Sequence, residues 1–282
     1  MDQPCPHLLA HTPGVLAPKR PFLGVTDAIP DRLDFRCPVK LLHGRCALEH
    51  IPYELEMFNA CNPLLLCDAA AVQENRVKAL SAALLDADMR WGVVESPPAG
   101  SHPDVVQALA AIYRDRDHDA LMVMGGGALT DLAKLVNIAV STGQDDPDFL
   151  ADGYTIEERL QPMVLIAQAQ ALGFETSGWV RTGQAKFCSL HLMPDLAVVD
   201  ARTVGSPEAN AMIDTGLVAL AVGTENLLGA EYNPMATIYA TNAVQAAMVT
   251  LQSITGRSDK AFPYMQAANA AVMAGCALAD RM

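Results

Sequence analysis

The most constraining feature is a run of five apolar residues, Ala120-Leu121-Met122-Val123-Met124, that leads directly into Gly125-Gly126-Gly127. A short run that is apolar at every position reads as a strand buried on both faces, which requires a parallel sheet with helices on each side. Three glycines after such a strand permit backbone angles that are costly for other residues. They also strip away side chains, so that phosphate oxygens can approach the amide N–H groups. A helix starting near Ala128 aims its unsatisfied N–H groups and positive dipole end at the same place. The spacing is neither G-x-G-x-x-G nor a P-loop, since no Gly-Lys-Ser/Thr follows. This run predicts a strand-to-helix turn that receives a nucleotide's phosphates.

The same alternation recurs on both sides. Pro38–Leu42 reads as a strand ending at the Gly44 turn, with a helix from Ala47 to Phe58. Pro63–Cys67 is a buried strand ending at Asp68, followed by a helix Ala70–Leu85 with Val72, Val77, Leu80, Leu84 and Leu85 mostly on one stripe. Trp91–Glu95, Met163–Ile166 and Leu196–Val199 are further strands, and Asp104–Arg114 a further helix. The stretch Trp179–Leu192 fits either a short hairpin or an extended crossover. Past Asp200 the chain reads as helical, opening at Ser206-Pro207-Glu208 with serine as cap and proline at the first helical position. Ala- and Met-rich segments at 215–229, 234–254 and 261–280 are separated by Asn233-Pro234 and Gly256-Arg257-Ser258-Asp259. The expected organisation is a proline-rich extended arm over 1–35, a Rossmann-like α/β nucleotide-binding domain over 36–200 and a partial all-helical domain over 201–282.

Composition narrows the partners. A formal net charge of −13 repels phosphate backbones and argues against nucleic acid. No window approaches the roughly 18 consecutive apolar residues of a membrane span, and no secretory leader is visible, so a cytoplasmic location is expected. Seven cysteines without a C-x-x-C pair are expected to be reduced thiols rather than a structural zinc site.

Around the glycine turn, Asp131 would repel phosphate if it faced inward, so it is expected to face the cleft, toward ribose or substrate hydroxyls. Lys134, one turn further, suits either neutralisation of Asp131 or the holding of a carboxylate. Asp68, at the carboxyl end of its strand, could accept two hydrogen bonds from an adenosine ribose and would repel a 2′-phosphate. It suits the N-cap of the following helix about equally well.

Gly125-Gly126-Gly127-Ala128-x-x-Asp131-x-Ala133-Lys134 resembles the G-G-G-S-x-x-D-x-A-K signature of the iron-containing (group III) alcohol dehydrogenases, in the dehydroquinate synthase-like superfamily. Pro38–Gly44, Leu64–Asp68, Pro194–Asp200 and Asn233-Pro234 are similar to further blocks of that family. The resemblance implies an N-terminal Rossmann-like domain, an all-helical domain and an NAD or NADP cofactor. The implied cofactor residues are Asp68, Gly125, Gly126, Gly127, Asp131, Lys134, Gly173 and Lys186. In the stretch 167–175, Gly173 and Glu175 match the family's second cofactor loop, P-T-T-A-G-T-G-S-E, while both threonines are replaced.

The family's T-G-x-D-A-x-x-H carries two metal ligands. The matching segment here, Thr215–Val222, has valine at both positions, Val218 and Val222, and valine cannot coordinate a cation. The sequence has no histidine after His191, where the family's remaining ligands would follow, so no metal is expected. Within the superfamily, maleylacetate reductases work without metal, yet still rely on histidines in the helical domain. Two functions remain open: a metal-independent or weakly active NAD(P)-binding oxidoreductase, or a catalytically inactive nucleotide-binding or assembly module. Leu227, Ile238, Val244, Met248 and Met273 are expected to need a partner chain, most simply a second copy in a dimer.

Overall fold

The computed structural model describes residues 34–98, 102–144, 146, 155–173, 175–183, 185–205, 209–229, 233–255 and 262–281. The arm over residues 1–33, the helix start at 206–208 and the break at 256–259 lie outside them. Six parallel strands form the sheet: β1 (Lys40–His43), β2 (Pro63–Cys67), β3 (Gly92–Glu95), β4 (Ala120–Met124), β5 (Met163–Ile166) and β8 (Leu196–Val199), in the order β1-β8-β5-β4-β2-β3. This is the expected α/β class with a parallel sheet.

The period of two along β4 shows why its continuous apolar run suits a central strand. Leu121 and Val123 enter one core with Leu64, Leu66 and Leu165, covered by α4 (Pro103–Asp115) and α5 (Gly127–Thr142). Ala120, Met122 and Met124 enter the opposite core with Leu65, Cys67, Val164 and Ile166, covered by α1 (Ile51–Met57), α2 (Ala69–Gln73) and α3 (Arg76–Asp86). Both faces of the strand are therefore dry, and an alternating polar pattern would have placed unpaired groups in one core.

One local reading changes and one open alternative is decided. The single helix expected over 70–85 is two helices, α2 and α3, broken at Asn75, whose φ of 58° is left-handed. Asparagine tolerates that conformation better than most residues, and the kink still delivers Val72 and Val77 to one core. Trp179–Leu192 resolves as an antiparallel hairpin, β6 (Trp179–Thr182) with β7 (Ala185–Cys188), pairing Arg181 with Lys186, and then a 3₁₀ turn over Leu190–Leu192.

Three helices follow: α6 (Ala209–Leu228), α7 (Pro234–Thr255) and α8 (Phe262–Ala277). They meet through small residues, Ala219, Ala243, Ala246, Ala247, Ala270 and Ala274, which let the helix axes approach closely. The expectation of no membrane-length segment needs amending. By length and composition α6 is apolar enough to cross a bilayer, with a mean hydropathy of 1.3, although here it packs along α7 and α8. Ile238 and Met248 are about half exposed, whereas Leu227, Val244 and Met273 are only partly so. Phe35 stacks on Tyr239 of α7 at 5.9 Å between ring centroids, and the Asn233 side chain donates to the Asp34 carbonyl.

The bundle reaches the sheet through α8. Ala267, Ala268 and Val272 share a core with Ala167 and Ala169, just after β5, and with Val199 at the end of β8. The tightest approach is at Gly275, where an added Cβ would collide with the Gly173 carbonyl and the Thr176 hydroxyl. Backbone cannot move aside cheaply there. Gly275→Ala should therefore destabilise the fold by about 1–3 kcal/mol, read as a lower thermal midpoint, while Gly126→Ala, which meets open space, should leave it nearly unchanged.

Candidate nucleotide-binding site

The carboxyl edge of the sheet brings together Asp68 after β2, the glycine turn after β4 and the loop 167–176 after β5. Ligands of open parallel sheets sit at this edge. The glycines do not adopt the left-handed angles that their sequence suggested: none of the three is among the positive-φ residues. What they supply is space. A Cβ on Gly125 would lie 2.5 Å from a Leu129 methyl and 3.1 Å from Asp68 Oδ2, so Gly125 allows close packing between strand, helix and the neighbouring carboxylate. Gly126 caps α5 in an extended conformation (φ −79°, ψ 177°), and a Cβ there would meet nothing within 4 Å. Gly127 is the buried first residue of α5. The turn thus exposes backbone at the positive end of a 16-residue helix.

Asp68 is the N-cap of α2, since its Oδ1 accepts from the Ala71 N–H at 2.7 Å. Its Oδ2 accepts from Gln170 Nε2 at 3.1 Å, which ties the loop after β5 to the end of β2 across the glycine turn. Sequence reasoning missed Gln170. The only signal was its place in the loop after β5, because nothing in a sequence shows that β5 and β2 flank the same strand.

Asp131 takes a different partner from the one expected, while Lys134 keeps the nearby carboxylates of Asp131 and Glu175 and adds two backbone carbonyls. Asp131 does not face an open cleft: it is buried, and it accepts from Arg181 Nε at 2.9 Å and from the Arg181 N–H at 3.3 Å. Burial outweighs this guanidinium and raises the Asp131 pKa above the ordinary carboxylate value. Lys134 is fully buried and donates to the carbonyls of Ser177 and Trp179, at 2.5 and 2.9 Å. Burial lowers its pKa from 10.5 to about 8, against the attraction of Asp131, Glu175 and Cys188. Both residues therefore fasten the β6–β7 hairpin onto α5. Glu175 is buried beside Lys134, and its own pKa is raised by burial.

Gly173 has a φ of +84° and packs on the backbone of α8, so this glycine is required conformationally as well as sterically. Lys186 is exposed on β7, opposite Arg181. His191 lies elsewhere. It lines a cleft of about 570 Å³ with Lys40, Arg159 and Asp195, at the amino ends of β1 and β8, across the sheet from the glycine turn.

Val222 packs against the alanine-rich contact of the three helices, and Val218 is half-buried on the same helix. Among the described residues no three of His, Cys, Asp and Glu gather as a metal cage. The side chains of Val218 and Val222 offer no donor atom to a cation.

The sequence model of the iron-containing alcohol dehydrogenase family matches residues 38–201. The chain is 28% identical over 203 residues to a 4-hydroxybutyrate dehydrogenase of Cupriavidus necator, covering 67% of this chain and 51% of that protein. It is 25% identical over 224 residues to an NAD-dependent methanol dehydrogenase of Bacillus methanolicus, covering 75% of this chain and 57% of that one. Its fold superposes on that of sulfoacetaldehyde reductase from Bifidobacterium kashiwanohense in complex with NAD+, with a TM-score of 0.72, 19% identity and coverage of 87% and 66%. The fold is that of an alcohol dehydrogenase-like oxidoreductase family. The chain belongs to the iron-containing alcohol dehydrogenases, and it spans about half the length of the curated relatives it matches.

The lysine anchor gives a pH-dependent prediction. Because folding lowers the Lys134 pKa, the unfolded chain binds more protons between pH 8 and 10.5, and this group's contribution to stability rises with pH across that window. The stability of the wild type relative to Lys134→Met should therefore increase over the same range, by up to about 3 kcal/mol, in denaturant titrations of both proteins at stepped pH.

Proposed function

We propose that the chain carries the NAD(P)-binding half of an alcohol dehydrogenase-type oxidoreductase. The observation that carries this reading is the open backbone at Gly126, set at the positive end of α5 on the carboxyl edge of the sheet. Family membership supports it. In this proposal the N–H groups at Gly125, Gly126 and Gly127 receive the pyrophosphate, and Asp68 faces the adenosine ribose. Asp131 and Lys134 act as positioning residues, holding the hairpin that presents Lys186. Gly173 seats the loop after β5 against α8. The unit over 36–200 is the nucleotide-binding domain, and 201–282 is part of a helical domain.

A bound nicotinamide supplies the hydride donor or acceptor. With Val218 and Val222 at the family's ligand positions, the proposed activity is metal-independent or weak. The packing of Val222 into the helix contact favours a second reading, in which the chain binds nucleotide or a partner without turnover. The half-exposed Ile238 and Met248 are proposed to be covered by a second copy.

Two measurements test this. Wild-type protein titrated with NAD(H) and NADP(H) by calorimetry should bind at least one of them, and Gly126→Asp should weaken that binding at least tenfold with unchanged circular dichroism. Absence of dinucleotide binding would remove the oxidoreductase reading, whereas binding without turnover of any alcohol or aldehyde would select the second. Sedimentation at micromolar concentration should show a dimer, and a strict monomer would remove the second-copy proposal.

A further inference from the structure

Given the dinucleotide reading above, we infer that Gln170 is a positioning residue for Asp68 and through it sets which dinucleotide the chain takes. It holds the carboxylate where a ribose diol is accepted and a 2′-phosphate is refused, so that NAD(H) is selected over NADP(H). The two side chains meet directly. Gln170 Nε2 donates to Asp68 Oδ2 at 3.1 Å, across 102 residues of sequence, while Asp68 Oδ1 accepts from the Ala71 N–H at 2.7 Å. Each oxygen of the carboxylate is thus held by a different donor.

The frame on either side is fixed. The Asp68 N–H donates to the Met124 carbonyl at 3.2 Å, which pins the residue to the end of β4 just before the glycine turn. Gly125 stands against its side chain: a Cβ there would lie 3.1 Å from Oδ2 and 3.4 Å from the Asp68 Cβ. Gln170 in turn stands between two buried alanines. The Ala169 N–H donates to the Val204 carbonyl at 2.9 Å, and the Ala171 N–H donates to the Gln168 carbonyl at 3.0 Å. The loop after β5 therefore cannot carry the amide away without breaking its contact with the segment after β8. Asp68 and Gln170 are both half-buried, so each keeps part of its surface open to a ligand at the carboxyl edge.

Acceptor arithmetic selects the ligand. A carboxylate offers about four acceptor positions. Ala71 and Gln170 take one each, and two remain for the 2′- and 3′-hydroxyls of a ribose, which donate. A 2′-phosphate ester has no hydroxyl proton to give at that position, and a phosphate monoester brings a charge of about −1.5 to −2 toward a carboxylate. Repulsion by itself would not exclude it, because an unrestrained aspartate can rotate about its Cα–Cβ bond and take its charge elsewhere. Here that rotation breaks two hydrogen bonds to a charged acceptor, which are the stronger kind. The carboxylate stays in place, and a 2′-phosphate has to meet it. Gln170 contributes nothing to this choice except through Asp68.

The test titrates the full chain with NADH and with NADPH by calorimetry, in the wild type, Gln170→Ala and Gln170→Met. Methionine keeps the length of the side chain and loses the donor. The wild type should bind NADH at least tenfold more tightly than NADPH. Both variants should narrow that ratio at least threefold, mainly through tighter NADPH binding, with unchanged circular dichroism. The two variants are read independently, so either decides if the other does not fold. Asp68→Ser removes the charge and keeps a capping side chain. In that background Gln170→Met should leave the ratio unmoved, the outcome that separates positioning of Asp68 from direct contact with the ligand. Binding of neither dinucleotide by the wild type would remove the nucleotide reading and the role of Gln170 together. With binding intact, equal affinities or a preference for NADPH in the wild type would overturn the role of Gln170 alone. So would a ratio that Gln170→Met leaves unchanged, or one that it still shifts when Asp68 is serine.

Discussion

The arrangement of the site depends on one buried charge. The Lys134 ammonium, with no exposure to solvent, is held by two backbone carbonyls, those of Ser177 and Trp179. Those carbonyls belong to the segment entering the hairpin and Lys134 belongs to α5, so the contact joins the glycine turn's helix to the β6 strand. Asp131 adds a second clasp three residues earlier, through Arg181. Breaking such a contact leaves an uncompensated charge or unpaired carbonyls in the interior, which is far costlier than losing a surface pair. The hairpin's position is accordingly fixed by α5 rather than by its own short strands.

A similar logic ties the rest of the carboxyl edge together. Gln170 bridges to Asp68 across the turn, Gly173 rests on α8, and Thr176 hydrogen-bonds to it. The loop after β5 is therefore braced from the sheet on one side and from the helical bundle on the other. Asp200 plays the matching part after β8. It is fully buried, accepts from the N–H groups of Ala47 and Leu48 and pairs with Arg202, which in turn reaches Glu49. The ends of β2 and β8 are each held by a carboxylate whose partner is remote in sequence.

Much of the fold was legible because burial imposes periodicity. β2, β4, β5 and β8 are apolar at every position, and only a strand covered on both faces needs that. The helix break at Asn75 was not legible, because one left-handed residue leaves the apolar stripe nearly intact. Nor was the role of the glycines: the sequence suggested unusual angles, and the structure uses close approach at Gly125 and openness at Gly126. His191, the last histidine of the sequence, lies at the edge opposite the glycine turn because β8 begins just beyond it and the ligand edge is where strands end.

By itself the sequence determined the class of fold, the strand that precedes the glycine turn and the absence of a donor side chain at Val218 and Val222. These follow from local pattern and residue chemistry, which do not change with tertiary context. Only the tertiary structure decided what Asp131 and Lys134 do, and that Gln170 meets Asp68. Each is a contact between segments far apart in the chain, and side chains with several possible partners are assigned one by the packing that brings it within reach. Asp131 and Lys134 hold the β6–β7 hairpin to α5, because a buried charge binds most strongly where water is excluded.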